Sequence, residues 1–108
     1  MAAQESVWEA SQAGTTAGAT ATKAALSATR AFMVTWISGY TDIDSLITIL
    51  AGSTVKDRWN LDISINGPSF HIAFPKPGLP IAPGETVSGV IASSTAACFV
   101  SIGGTVDP

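Results

Sequence analysis

Two side chains in this sequence have types suited to nucleophilic chemistry, and each occurs once: His71 and Cys98. A Cys–His site needs the imidazole beside the sulfur. Cys98 shares an apolar register with Val100 and Ile102, which points it into a core, where a thiol is inert. His71 alternates with Phe70 and Ile72 and so belongs to the opposite, outward face. Asp42-Ile43-Asp44 resembles a fragment of a calcium loop, but a hard cation wants six or more oxygens. Only Asp57 or Asp62 stands ready to join it. A loop that hydrogen-bonds its own backbone accounts for the pair better. The same sparseness argues against paired catalytic carboxylates. Gly103-Gly104 follows a terminal strand instead of opening a helix, so it makes no phosphate cradle. The residues therefore predict no enzyme, no catalytic group, no metal and no cofactor.

The charge balance narrows the partners. Charged residues make up 12% of the chain, against about 25% in ordinary soluble domains. The five basic residues, Lys23, Arg30, Lys56, Arg58 and Lys76, are scattered. Nucleic-acid binding needs a basic footprint, so nucleic acid is not an expected partner. No apolar run reaches the roughly 18 residues of a membrane span. Glu5 and Glu9 stand where a signal peptide would carry basic residues. A single cysteine permits no intrachain disulfide, and synthesis in a reducing cytosol is the simplest setting.

The elements that must position these side chains read as strands. Trp59, Leu61, Ile63 and Ile65 alternate with polar residues. After Asn66-Gly67-Pro68, Phe70, Ile72 and Phe74 do the same. Phe32, Val34 and Trp36 face one way in an earlier strand, and Ser45–Ala51 is another. Four prolines between Pro75 and Gly84 exclude a helix and any central strand there. Thr86–Ala92 and Ala96–Ile102 complete the series, with Phe99 outward. The spacing predicts an all-β fold: a small antiparallel β-sandwich, jelly-roll-like, of six or seven strands over residues 31–108. A small closed barrel has the same alternation. The expected core is Val34, Trp36, Trp59, Leu61, Ile63, Phe70, Ile72, Phe74, Val100 and Ile102.

Residues 1–30 differ. Ala, Thr, Ser and Gly dominate, and the large apolar groups are Val7, Trp8 and Leu26. Such a segment buries too little surface to offset its ordering entropy. It reads as a flexible, extended N-terminal arm, with Trp8 either incidental or an anchor docking on a neighbour. A core of about 77 residues supplies roughly 3–5 kcal/mol, so self-association is the expected staple.

A resemblance adds to this. Gly67-Pro68-Ser69-Phe70-x-Ile72-x-Phe74-Pro75-x-Pro77, Pro83-Gly84-Glu85-x-Val87-Ser88-x-Val90-Ile91-Ala92 and Ser94-Thr95-Ala96-Ala97-Cys98-x-Val100-x-Ile102-x-Gly104 resemble small β-sandwich structural proteins of tailed bacteriophages. Ala21-Thr22-Lys23-Ala24-Ala25 before Phe32-Met33-Val34 fits the same type. The resemblance covers residues from about 21 to 104. It implies a virion part similar to capsid decoration (cement) proteins, made in the host cytoplasm and bound to the outside of the head. It also implies a homo-oligomer, a trimer, with the major capsid protein as partner, and shell stabilisation as the task. The N-terminal arm, with Val7, Trp8 and Leu26, would lie along the capsid or a neighbouring copy. The alternative is a head or tail fibre module that recognises a receptor, including host glycans. In that case Arg58, Asn60, Asp62, Ser64 and His71 supply polar contacts and Tyr40 or Phe99 stacks on a sugar ring.

Overall fold

The computed structural model describes residues 6–23 and 32–106. The described chain is an all-β sandwich of two antiparallel sheets. Its strands are β1 (Ser6–Gly14), β2 (Ala19–Lys23), β3 (Phe32–Thr41), β4 (Ser45–Ala51), β5 (Thr54–Leu61), β6 (Ser69–Ala73), β7 (Leu79–Ile81), β8 (Val87–Ile91) and β9 (Cys98–Val106), with one helical turn, α1 (Ile63–Asn66). The first sheet has the order β1-β9-β3-β6, and β7 also pairs with β3. The second has the order β2-β8-β4-β5. Consecutive strands thus alternate between layers over much of the chain, and the last strand inserts between the first and third. This is the jelly-roll arrangement of two interlocked Greek keys.

Alternation explains which side chains fill the space between the layers. Val34, Ile37, Val100 and Ile102 descend from the first sheet, and Ile47, Ile49, Val87 and Ile91 rise from the second; all are fully buried. Leu61 is buried beside them, while Trp59, Ile63, Phe70, Ile72 and Phe74 pack on the core from its rim, half-buried. Trp59 and Phe74 meet at a centroid distance of 6.0 Å across that rim.

Four features depart from the reading of the sequence. First, the described part of the expected arm lies within the sandwich. β1 pairs with β9 from Ser6↔Val106 to Gly14↔Cys98, and β2 pairs with β8 from Ala19↔Ile91 to Lys23↔Val87. With β7 they bring the strands to nine. Inward positions of β2 are taken by small residues, Ala19 and Ala21, both buried in the core. The expected boundary near residue 30, and Leu26, lie outside the described residues.

Second, Trp8 is 6% exposed within its own sandwich, and its indole Nε1 donates to the Met33 carbonyl at 3.1 Å. It anchors β1 to the chain's own core, so it is not free to dock on a neighbour.

Third, a β-bulge between Val34 and Trp36 changes the register of β3 on β9. A bulge inserts one unpaired residue and so reverses facing beyond it. Val34 and Ile37 both point inward, and Trp36 goes to the outer face, not the core. Gly104 makes the bulge possible: a Cβ there would stand 1.8 Å from the Met33 carbonyl oxygen.

Fourth, the alternation from Trp59 to Ile65 does not continue as one strand. The Asp62 carboxylate accepts from the Ser64 amide and caps α1, which ends the strand at Leu61. Ile65 is then 79% exposed. The Asn66-Gly67-Pro68 break carries the chain to the other sheet, where β6 pairs with β3.

Candidate functional site

The residues with catalytic types are held apart. Cys98 opens β9 on its inward side and is buried. His71 is on β6, opposite Ser38 in β3, and faces outward. The first sheet lies between the two groups.

The aspartates serve the backbone. The Asp42 carboxylate accepts from the amides of Thr95 and Ala96, both at 2.7 Å, and of Ala97 at 3.4 Å. These bonds, that from Thr95 foremost, hold its pKa below the ordinary value of 3.8. Asp44 accepts from the Ile63 amide. Asp62 takes the Ser64 hydroxyl and amide, and this also lowers its pKa. Buried hydroxyls complete this end of the sandwich. Ser94 donates to the Thr15 carbonyl and accepts from the Gly18 amide. Thr41 donates to the Ser93 carbonyl, and Ser45 accepts from the Ser93 amide. No group of three or more potential metal ligands occurs among the described residues.

The polar residues expected to form one binding face are divided between three places. Arg58 and Asn60 belong to β5 in the second sheet, Asp62 and Ser64 to the cap and turn of α1, and His71 to the first sheet. His71, Tyr40 and Phe99 share the outer face of the first sheet, and Arg58 and Asn60 share that of the second.

That outer face of the first sheet follows from the strand registers. Its central row is Ser11, Ser101, Ser38 and His71, taken across β1, β9, β3 and β6. On one side lies the row Ala13, Phe99, Tyr40 and Ser69; on the other lies Glu9, Gly103, Trp36 and Ala73. Tyr40 and Phe99 stack with centroids 6.3 Å apart and planes inclined by 17°. Tyr40 is 45% exposed. Trp36 lies over Gly103, and a Cβ on that glycine would come within 2.5 Å of the indole Cζ2. A polar row is therefore flanked by two aromatic stations. Sequence reasoning placed Phe99 outward but lost Trp36, because nothing in the residue pattern announces the bulge at Thr35. The serine row was legible only once the strand partners were known.

The outer face of the second sheet has another character. Leu46, Leu50 and Val90 are half-buried there and Val55 is exposed, interleaved with Thr20, Thr22, Thr48 and Ser88. Thr22 and Ser88 share a hydrogen bond at 3.1 Å. Arg58 enters only at the outer strand. Between β5 and β6 the layers part, leaving a cleft of about 350 Å³ walled by Ile47, Trp59, Leu61, Phe70 and Ile72, with Asn60, Ser69 and His71 around it.

Comparisons with protein-family models, with curated proteins and with solved structures return no match to this chain.

Proposed function

We propose that this chain is a structural, non-catalytic part of a tailed-phage virion: a decoration protein that binds the outside of the head and stabilises the shell. The observation that carries the reading is the outer face of the second sheet. Leu46, Leu50, Val55 and Val90 form an aliphatic field interleaved with hydroxyl side chains, with Asn60 and Arg58 entering on the outer strand β5. A solvated sheet face normally alternates toward charge. An aliphatic face on a chain with 12% charged residues is suited to burial against other subunits. The resemblance of residues from about 21 to 104 to phage β-sandwich proteins and the jelly-roll order support the same reading, the latter as fold-level analogy.

On this proposal the sheet face, not an N-terminal arm, makes the attachment, since Trp8 is occupied within its own fold. Copies associate as a trimer and contact the major capsid protein. Many modest contacts on a lattice gain from high effective concentration.

Quantitative mass spectrometry of purified particles from a culture producing the chain tests the proposal. Hundreds of copies per particle are expected. A few copies would transfer the chain to a fibre or tail tip, and its absence from particles would refute a virion role. Val90→Glu, which leaves the core untouched, should abolish self-association in light scattering.

A further inference from the structure

We propose that the outer face of the first sheet is a binding platform for a neutral oligosaccharide. This platform lies on the opposite side of the sandwich from the attachment face and does not depend on the decoration reading.

The chemistry begins with Trp36 and Tyr40. They lie four positions apart on β3, which is roughly 13 Å at strand rise. That is the span of a short oligosaccharide, not of a single sugar. Each station is held in place. Gly103 leaves the room over which the Trp36 indole lies, and Phe99 stacks on the Tyr40 ring. A pyranose presents an apolar face of C–H bonds, which packs on an aromatic ring, and a rim of hydroxyls. The row between the stations supplies partners for that rim. Half-buried Ser38 donates and accepts, exposed His71 adds an imidazole nitrogen at the outer strand, and Ser101, 8% exposed, lies in the floor between them.

Charge selects the class of ligand. Among the described residues, no lysine or arginine occupies a register position of this face, and Glu9 occupies one. Single-stranded nucleic acid also stacks on aromatic rings but needs a cationic groove for its phosphates. Acidic polysaccharides meet the same objection. A second copy of the chain would have to bury Ser11, Ser38 and His71 against itself, whereas sugar hydroxyls satisfy them. The face is open rather than enclosed, so each site is weak, and an array of copies would multiply it.

Affinity electrophoresis of the purified chain, through native gels containing neutral glucan, mannan, galactan or xylan, tests this. Gels with alginate or single-stranded DNA serve as anionic controls. Retardation is expected in at least one neutral gel and in neither anionic one. Tyr40→Ala should weaken it about tenfold, the loss of one stacked ring. Trp36→Ala should do the same, and Ser38→Ala, which disturbs no packing, should weaken it less. Val90→Glu on the opposite face and Ile65→Ser on α1 should leave it unchanged. The proposal is overturned if no neutral gel retards the chain. It is equally overturned if Tyr40→Ala and Ser38→Ala migrate like the parent, or if retardation occurs only with the anionic polymers. A fall in solution mass on Tyr40→Ala would instead make this face a contact between copies. Particle counts read the decoration proposal separately, so either can fail alone.

Discussion

Replacing Trp8 with alanine asks whether the first strand is a structural member or an appendage. Trp8 is 6% exposed, faces Gly104 across the β1–β9 register and donates to the Met33 carbonyl beside the bulge. Truncating a buried tryptophan to alanine costs about 3–5 kcal/mol. Stranding the Met33 carbonyl adds about 1 kcal/mol. A domain of this length is stable by only about 5–15 kcal/mol in total. Trp8→Ala should therefore remove a large share of that stability. Trp8→Phe retains most of the packing and loses the hydrogen bond, at a cost of about 1–2 kcal/mol. At about 4–8 °C per kcal/mol for a domain of this length, Trp8→Phe should lower Tm by roughly 4–16 °C. Thermal and urea melts by far-ultraviolet circular dichroism, with Trp36 and Trp59 as fluorescent reporters, measure both variants. A Trp8→Ala midpoint matching the parent within about 0.5 kcal/mol, the usual scatter of surface substitutions, would refute the place given to β1.

Three further outcomes are expected. Gly103→Ala puts a methyl 2.5 Å from the Trp36 indole, so the ring must leave its seat. A red shift in fluorescence and a stability loss of about 1–3 kcal/mol should follow. Asp42 has a folded pKa below 3.8, so its stabilising effect is complete above its unfolded value and is lost as pH falls through the folded one. The stability gap between the parent and Asp42→Asn should thus be constant near neutrality and close below about pH 3.8, with amide exchange at 95–97 quickening over the same range. Cys98 is buried in the core, so a thiol reagent such as dithionitrobenzoate should modify it at the rate of unfolding; rapid labelling of the native protein would contradict its position.

The strands with branched aliphatic alternation were legible from residue type alone. Val100 and Ile102 in β9 declare their inward face and are buried as expected, whereas β4 reads as a strand without showing that Ile47 and Ile49 are its inward residues. β1 and β2 were illegible for a physical reason. Their inward positions include Ala10, Ala19 and Ala21, so period two is present but written in residues that carry little hydrophobic signal. Ile63 and Ile65 erred in the other direction: they prolong an apolar alternation that Asp62 has already ended by capping a helical turn. Trp36 shows the limit most clearly. One extra residue in β3 reverses its facing, and a bulge depends on the partner strand's Gly104, which lies far along the chain. The aromatic and serine rows inherit the same limit, since each row draws on four strands and no local pattern links them.

The position of β9 also bears on how the protein is made. The strand between β1 and β3 is the last described to leave the ribosome. Until then the first sheet lacks its centre, and β1 and β3 offer unpaired edges and bare aliphatic side chains. No sub-assembly of earlier strands can close this layer, so the first sheet is completed only when β9 has been made. Long-range pairing of this kind is slow. Newly made chains therefore spend an interval as sticky, half-built layers, in which crowding at one message favours mispairing over maturation. Expression at low temperature or with slowed initiation should raise the yield of folded protein for that reason alone.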